Sequence, residues 1–382
     1  MVAGTAQLVG ATLATGLGRI HAISQTAAGS RLECRTVTRS VGRSLVLMAA
    51  AMSVALPPIG CVPRSENEVI LYSAADREVA APIVAAFQRR HAETKVNSTF
   101  DVESTKTVGL VTRIENESAK PRCDLFWNNE ILHTLRLEKA GLLQPVRWDV
   151  PRDWPATMRS SRGLWIAFAA RARVLLVNKT LLPDQSEWPS SVMELSDPKW
   201  QKRCAVASPL FGTTATHFTV LQTLLGDDKS EAWFRDVKQN AIMLAGNKQV
   251  AQAVAAGQVA MGLTDTDDAL LEIDNGQNVA IVFPDQLSDR LGTLLIPNAL
   301  CVMKNCPHPN AAAALGNYLL SEDIEGRLAM GQSGNIPVRP GHPQASRAAP
   351  PKTIRYMEID FSKAALHWEK SSATLRTIFR GE

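Results

Sequence analysis

The sequence predicts an α/β protein of two lobes, and three features carry that prediction. Beyond residue 60, short apolar runs suited to buried strands alternate with runs of helical period. The alternation breaks once, over residues 145–165, where Pro, Trp and Arg gather and a strand-like run then opens a second set. A late strand-like run over 292–304 carries the chain back. Composition agrees: 382 residues with 45% hydrophobic and 20% charged side chains suit about two domains of roughly 150 residues. It argues against a disordered chain or a small disulfide-stapled module. The 41 Lys and Arg against 37 Asp and Glu leave only +4, and the basic residues are scattered. No phosphate-tracking stripe forms, so a nucleic-acid partner is not expected.

Taken in order, Val69-Ile70-Leu71-Tyr72 is a continuous apolar run, as a buried parallel strand requires. Val79, Ile83 and Phe87 then follow a 3.6 period and end at Arg89-Arg90-His91. Lys95–Phe100 is a second strand, Val108, Val111 and Ile114 mark a second helix, and Asp124–Trp127 is a third strand. A helix through Leu132, Leu135 and Leu137 stops before Gly141. Past the break, Trp165–Val177 is strand-like, Cys204–Ala207 is a strand, and Thr214–Leu225 is a helix stopped by Gly226. Helices over 232–237 and 249–256, a buried strand over 259–263, and helices over 310–330 and 360–379 complete the pattern. The lobes expected from it are 66–170 with 293–382, and 171–292.

Residues 44–56 read SLVLMAAAMSVAL after Arg39 and Arg43, the pattern of an export signal. This run is shorter than the ~20 residues that a membrane-spanning helix needs. Cys61 follows Ile59-Gly60, which resembles the lipobox of bacterial lipoproteins, so lipidation of Cys61 and a periplasmic, lipid-anchored location are expected. Residues 1–38 precede a complete signal, as they would if the presequence were unusually long or if translation began near Val37 or Val41. Four further cysteines, Cys123, Cys204, Cys301 and Cys306, allow three full pairings. Cys301 and Cys306 are near enough in sequence to bridge a strand end and its loop.

The chain has no P-loop, no G-x-G-x-x-G, no G-x-S-x-G and no H-E-x-x-H. Nothing local asks for catalysis. Polar residues instead gather at the carboxyl ends of the expected strands, where open α/β sheets bind ligands. These are Ser73 and Asp76; Asn128, Asn129 and Glu130; Thr213 and Thr214; Asn247; and Asp265, Asp267 and Asp268. Each has a plainer reading as a helix cap or first-turn acid. Together they suit an anion at helix starts, with acids for a hard cation or an amine. Trp127 reads as core at a strand end or as a ligand wall.

At VILYSAADREVAAPIVAAF, CDLFWNNEILHTLRLEKAGLLQPV, LSDPKWQKRCAVASPLFGTTATH and GQVAMGLTDTDDAL the chain resembles bacterial extracellular solute-binding proteins. GTLLIPNALCVMK and CPHPNAAAALGNYLLSEDIEGRLA extend the likeness, which spans 66–382 and lies nearest the ferric-iron branch of these ABC-transporter receptors. The resemblance implies a type II periplasmic binding protein, with two α/β lobes closing about a hinge on ligand. It implies no enzyme and no cofactor; a monomer; and a permease whose ATPase is a separate chain. Its bound species would be Fe(III) with a synergistic anion. Ferric members use a tyrosine pair where this chain has Asp267 and Asp268, and only Tyr72, Tyr318 and Tyr356 exist. The metal set implied is Asp76, Glu130, Asp267 and Asp268, with Arg171 and Arg173 matching an Arg-x-Arg near the hinge. Open alternatives are a small organic ion such as an aminophosphonate or phosphorylated metabolite, or an enzyme or sensor on the same scaffold.

Overall fold

The computed structural model describes residues 67–101, 107–349 and 353–381. They belong to a compact unit, Cys61–Glu382. The export signal and Cys61 lie outside the described residues. Strand β1 (Glu68–Ser73) and β2 (Lys95–Phe100) flank helix α1 (Arg77–Arg90) and pair in parallel, Leu71 opposite Ser98. Helix α2 (Val108–Asn116) leads to β3 (Leu125–Asn128), parallel to β1, and α3 (Leu132–Lys139) to the short β4 (Leu143–Gln144). These successive βα units form the first lobe's parallel sheet.

Strand β5 (Trp165–Asn178) is buried along all 14 residues and runs through both lobes. The second lobe continues with β6 (Cys204–Ala207), α4 (Gly212–Leu225), α5 (Asp227–Asn240) and β7 (Ile242–Leu244). Then come α6 (Asn247–Ala255), β8 (Met261–Asp265), α7 (Thr266–Asp274) and β9 (Val279–Val282). Strand β10 (Leu295–Met303) returns to the first lobe, followed by α8 (Pro309–Leu319), α9 (Glu322–Met330) and α10 (Phe361–Arg380). The strand order is β2-β1-β3-β10-β5-β8-β6-β7, with β4 on β10 and β9 on β5. Gly262 sets the fit of α6 on β8, because a Cβ there would collide with Val250.

The change of lobe is visible in the register of β5. Its Trp165–Ala172 part pairs antiparallel with β10, and its Arg173–Val177 part pairs with β8. The β5–β10 ladder shifts between Pro297 and Asn298, leaving Ala169 without an opposite residue. Ala169 adopts φ 42, a left-handed conformation that alanine rarely takes. Three buried side chains hold it there. Its N–H donates to Glu325 Oε1 (3.0 Å), and its carbonyl accepts from Asn298 Nδ2 and from Asn335 Nδ2 (3.2 Å). Trp127 Nε1 donates to Asn298 Oδ1 (3.2 Å) and its ring packs at 5.6 Å from Phe168, so Trp127 is core beside the hinge.

Helix α10, expected wholly within the first lobe, packs on both. Arg136 of α3 pairs with Glu369 (2.8 Å), while Thr219 of α4 donates to Ser371 (3.0 Å) and Phe218 meets Phe379. Its amphipathic face buries Ala364, Trp368, Ser371, Leu375 and Ile378. Cys301 and Cys306 do not bridge; with Cys123 and Cys204 they are free, buried thiols. Cys301 is held mid-strand opposite Trp165 and Phe126, while Cys306 accepts from Gln144 Nε2 (3.5 Å) beyond a turn.

Candidate ligand-binding cleft

The strand ends converge as the sheet dictates, but the polar residues there fall into three separate groups. In the first lobe, Ser73 is buried, with Oγ 3.5 Å from the Ala75 carbonyl. Asp76 is the N-cap residue of α1 and exposed, yet its side chain makes no capping hydrogen bond, unlike the plainer reading of it as a helix cap. Asn129 accepts from Thr107 Oγ1 at Oδ1 (2.7 Å) and from Arg171 at its carbonyl (2.8 Å). Asn128 Nδ2 donates to Glu130 Oε1 and to Thr134 Oγ1, each at 3.0 Å.

Glu130 does not join the metal set expected of it. It is fully buried, and its carboxylate caps α3 by accepting the Leu132 (2.7 Å) and His133 (3.0 Å) N–H groups. Thr216 Oγ1 of α4 adds a third donor at 2.8 Å, and Asn128 a fourth. A carboxylate at a helix start with four donors is satisfied where it stands.

The second group surrounds Arg173, which is fully buried on β5. Its guanidinium donates to Asp265 Oδ1 (2.7 Å), Asn247 Oδ1 (3.1 Å), Thr213 Oγ1 and Thr214 Oγ1 (both 3.2 Å) and His217 Nδ1 (3.4 Å). Thr213 donates to Asp265 Oδ2 (2.6 Å), and Asn247 Nδ2 to the same oxygen (3.0 Å). Burial opposes ionisation of Asp265, but Arg173, then Arg171, and the Thr213 hydroxyl outweigh it and hold the carboxyl below its usual range. Burial, with Arg173 adding to it, pushes the His217 imidazole well below its ordinary value, so it accepts from Arg173 as a neutral ring. Thr213, Thr214 and Asn247, expected to receive an anion at a helix start, are thus engaged within the protein. Phe211 rather than either threonine is the N-cap residue, and Gly212, at φ 56, makes the turn into α4. The space left there is about 20 Å³, room for one water.

The third group lines an open cleft of about 580 Å³ between the start of α1 on one side and α6 and α7 on the other. Among the described residues, five carboxylates face it (Asp76, Glu78, Asp101, Asp267 and Asp268) against two cationic side chains, Arg77 and Lys248. Asp267 and Asp268 stand in the first turn of α7, where the helix dipole favours acids. With the N-cap residue Asp265 they bring carboxylate oxygens within 4.8 Å of one another. Arg171, only 6% exposed, donates to Asp267 Oδ2 at 2.7 Å. No tyrosine lines the cleft. Tyr72 is buried and donates to Glu117 (2.9 Å), Tyr318 packs 5.3 Å from Phe87, and Tyr356 bridges to Thr293.

The expected metal residues Asp76, Asp267 and Asp268 therefore share the cleft, while Glu130 lies outside it. Sequence reading missed Asp101, Lys248 and Gln249 as cleft residues. Asp101 follows β2, and Lys248 and Gln249 follow Asn247, so the strand-end rule reaches all three. Gln332 and Ser333, just past α9, arrive by tertiary folding alone.

Residues 124–364 match the family model described as "Bacterial extracellular solute-binding protein". The chain belongs to that family. Iron uptake protein A1 of Synechocystis sp. (strain ATCC 27184 / PCC 6803 / Kazusa) is 28% identical over 297 residues, 75% of this chain and 80% of that one. Among solved structures, the ferric binding protein from Campylobacter jejuni superposes with a TM-score of 0.73 at 22% identity, covering 81% of this chain and 99% of that chain. Iron-bound HitA from Pseudomonas aeruginosa gives 0.70 at 24% identity, with coverage of 81% and 99%. The superpositions show that these proteins share the fold described above. As a family member, the chain is a solute-binding transport protein. Among the described residues, no helix is long and apolar enough to cross a membrane.

Proposed function

We propose that this protein is the extracytoplasmic receptor of a bacterial ABC importer, and that its cargo is a hard cation, Fe(III) foremost. One observation carries the proposal: among the described residues, five carboxylates stand against two cations in a cleft shared by both lobes. The relatives named for iron point the same way. Hard cations take oxygen ligands, and carboxylates supply them without phenolate. Asp76 and Asp101 would bind from the first lobe and Asp267 and Asp268 from the second, so that one cation bridges them and favours closure. No bond is made or broken. The permease would recognise the closed form, and a separate ATPase chain would drive uptake. Export and lipidation at Cys61 would hold the receptor, as a monomer, at the outer face of the inner membrane.

Native mass spectrometry of the unit from residue 62 onward, with elemental analysis and ferric citrate titration, tests this. Iron retained at one ion per chain, with or without an anion, supports the proposal. An organic adduct, or a cleft indifferent to ferric citrate, refutes it and turns attention to the small organic ion.

A further inference from the structure

Arg171 is already paired with Asp267, one of the acids proposed to bind the cation. It stands on β5 opposite Ile296, two residues before Arg173 opens the pairing with β8, and so at the junction of the lobes. One amino group donates to Asp267 Oδ2 (2.7 Å) in the second lobe and the other to the Asn129 carbonyl (2.8 Å) in the first. Its Nε is buried without a hydrogen-bond partner. Burial works against its charge, but Asp267, Asp265 and Asp76, acids from both lobes, outweigh it and keep the guanidinium protonated. Asp76 and Asp267 face the cleft, and Asp265 adjoins it.

We propose that Arg171 is a tethered counter-cation of the receptor, held among the cleft acids until an incoming cation takes Asp267 from it. This rests on the cation reading of the cleft. A guanidinium carries one charge spread over three nitrogens, whereas a trivalent ion concentrates three at a point. The arginine therefore sets a threshold of charge density that weakly attracting cations do not pass. It also removes the repulsion that Asp76, Asp265 and Asp267 would exert on one another when no solute is present.

Arg171→Met and Arg171→Lys in the unit from residue 62 test the idea, with terbium(III) luminescence and manganese(II) titration as probes. The Met variant should bind both ions at least about tenfold more tightly than the parent, since a unit charge beside the acids is gone. Its thermal midpoint should rise steeply when either ion is added. The Lys variant keeps the charge and should keep the threshold. A natively folded Met variant that binds no more tightly than the parent overturns the proposal, whatever the parent's affinity for iron. A Met variant that binds while the parent binds neither ion keeps the counter-cation and sinks the cation cargo instead. Should the Met variant not fold, arginine Nε–H NMR of the parent with lanthanum(III) decides. The Arg171 resonance, assigned with the Lys variant, should shift on binding; an unmoved resonance at saturation overturns the proposal.

Discussion

Replacing Arg173 with Met should cost about 3–5 kcal/mol of folding stability, the usual loss when one partner of a buried ion pair is removed. The side chains of Arg173 and Asp265 are 0% and 3% exposed, so water cannot take the place of the missing guanidinium. Five hydrogen bonds end on Arg173, and Met satisfies none of them. Asp265 retains Thr213 and Asn247 as donors, which places the expected loss near the lower figure. Urea unfolding at pH 7 of the unit from residue 62 measures it. Asp265→Leu added to Arg173→Met removes the stranded charge and should recover at least half of the loss. Acid supplies an independent check. The folded carboxyl of Asp265 is held below its unfolded value, so its contribution is complete above about pH 4 and fades as pH falls through the folded value. In Arg173→Met, only Arg171 and the Thr213 hydroxyl still oppose burial, so that carboxyl rises relative to the parent's and the gap between the two proteins should narrow as pH falls. A loss under about 1 kcal/mol, or a double variant no more stable than the single, would refute the account of Arg173 as the buried counter-charge of Asp265.

Asp268→Ala should weaken ferric binding about tenfold or more while the thermal midpoint stays put; parental affinity by calorimetry would remove Asp268 from the site. Glu130→Gln should do the reverse. Loss of a charged acceptor at the start of α3 should cost about 1–3 kcal/mol in urea and leave ligand affinity unchanged. An affinity loss without a stability loss would return Glu130 to the ligand set. Cys61→Ser should free the receptor from membranes on cell fractionation, and unaltered attachment would reject Cys61 as the lipidated residue.

The chain itself determined the layering. Buried strands need continuous apolar runs and their helices need a 3.6 period, both local properties, so β1, β3, β6 and β10 with the helices after them, and the long β5, were readable. β7, of three residues, and β9, of four, carry too little pattern of their own and exist by pairing with β6 and β5. The strand-end rule also located the acids, because a parallel sheet delivers every such loop to one edge. Which polar groups remain for a ligand was a different matter. Asp265 and Asp267 meet Arg173 and Arg171 across 92 and 96 residues of chain, and Glu130 meets Thr216 across 86. Those pairings turn an expected anion seat into a closed network and an expected metal ligand into a helix cap. Spacing along a chain cannot show them, since a hydrogen-bond donor is used up only by the partner that the folded backbone brings within about 3 Å.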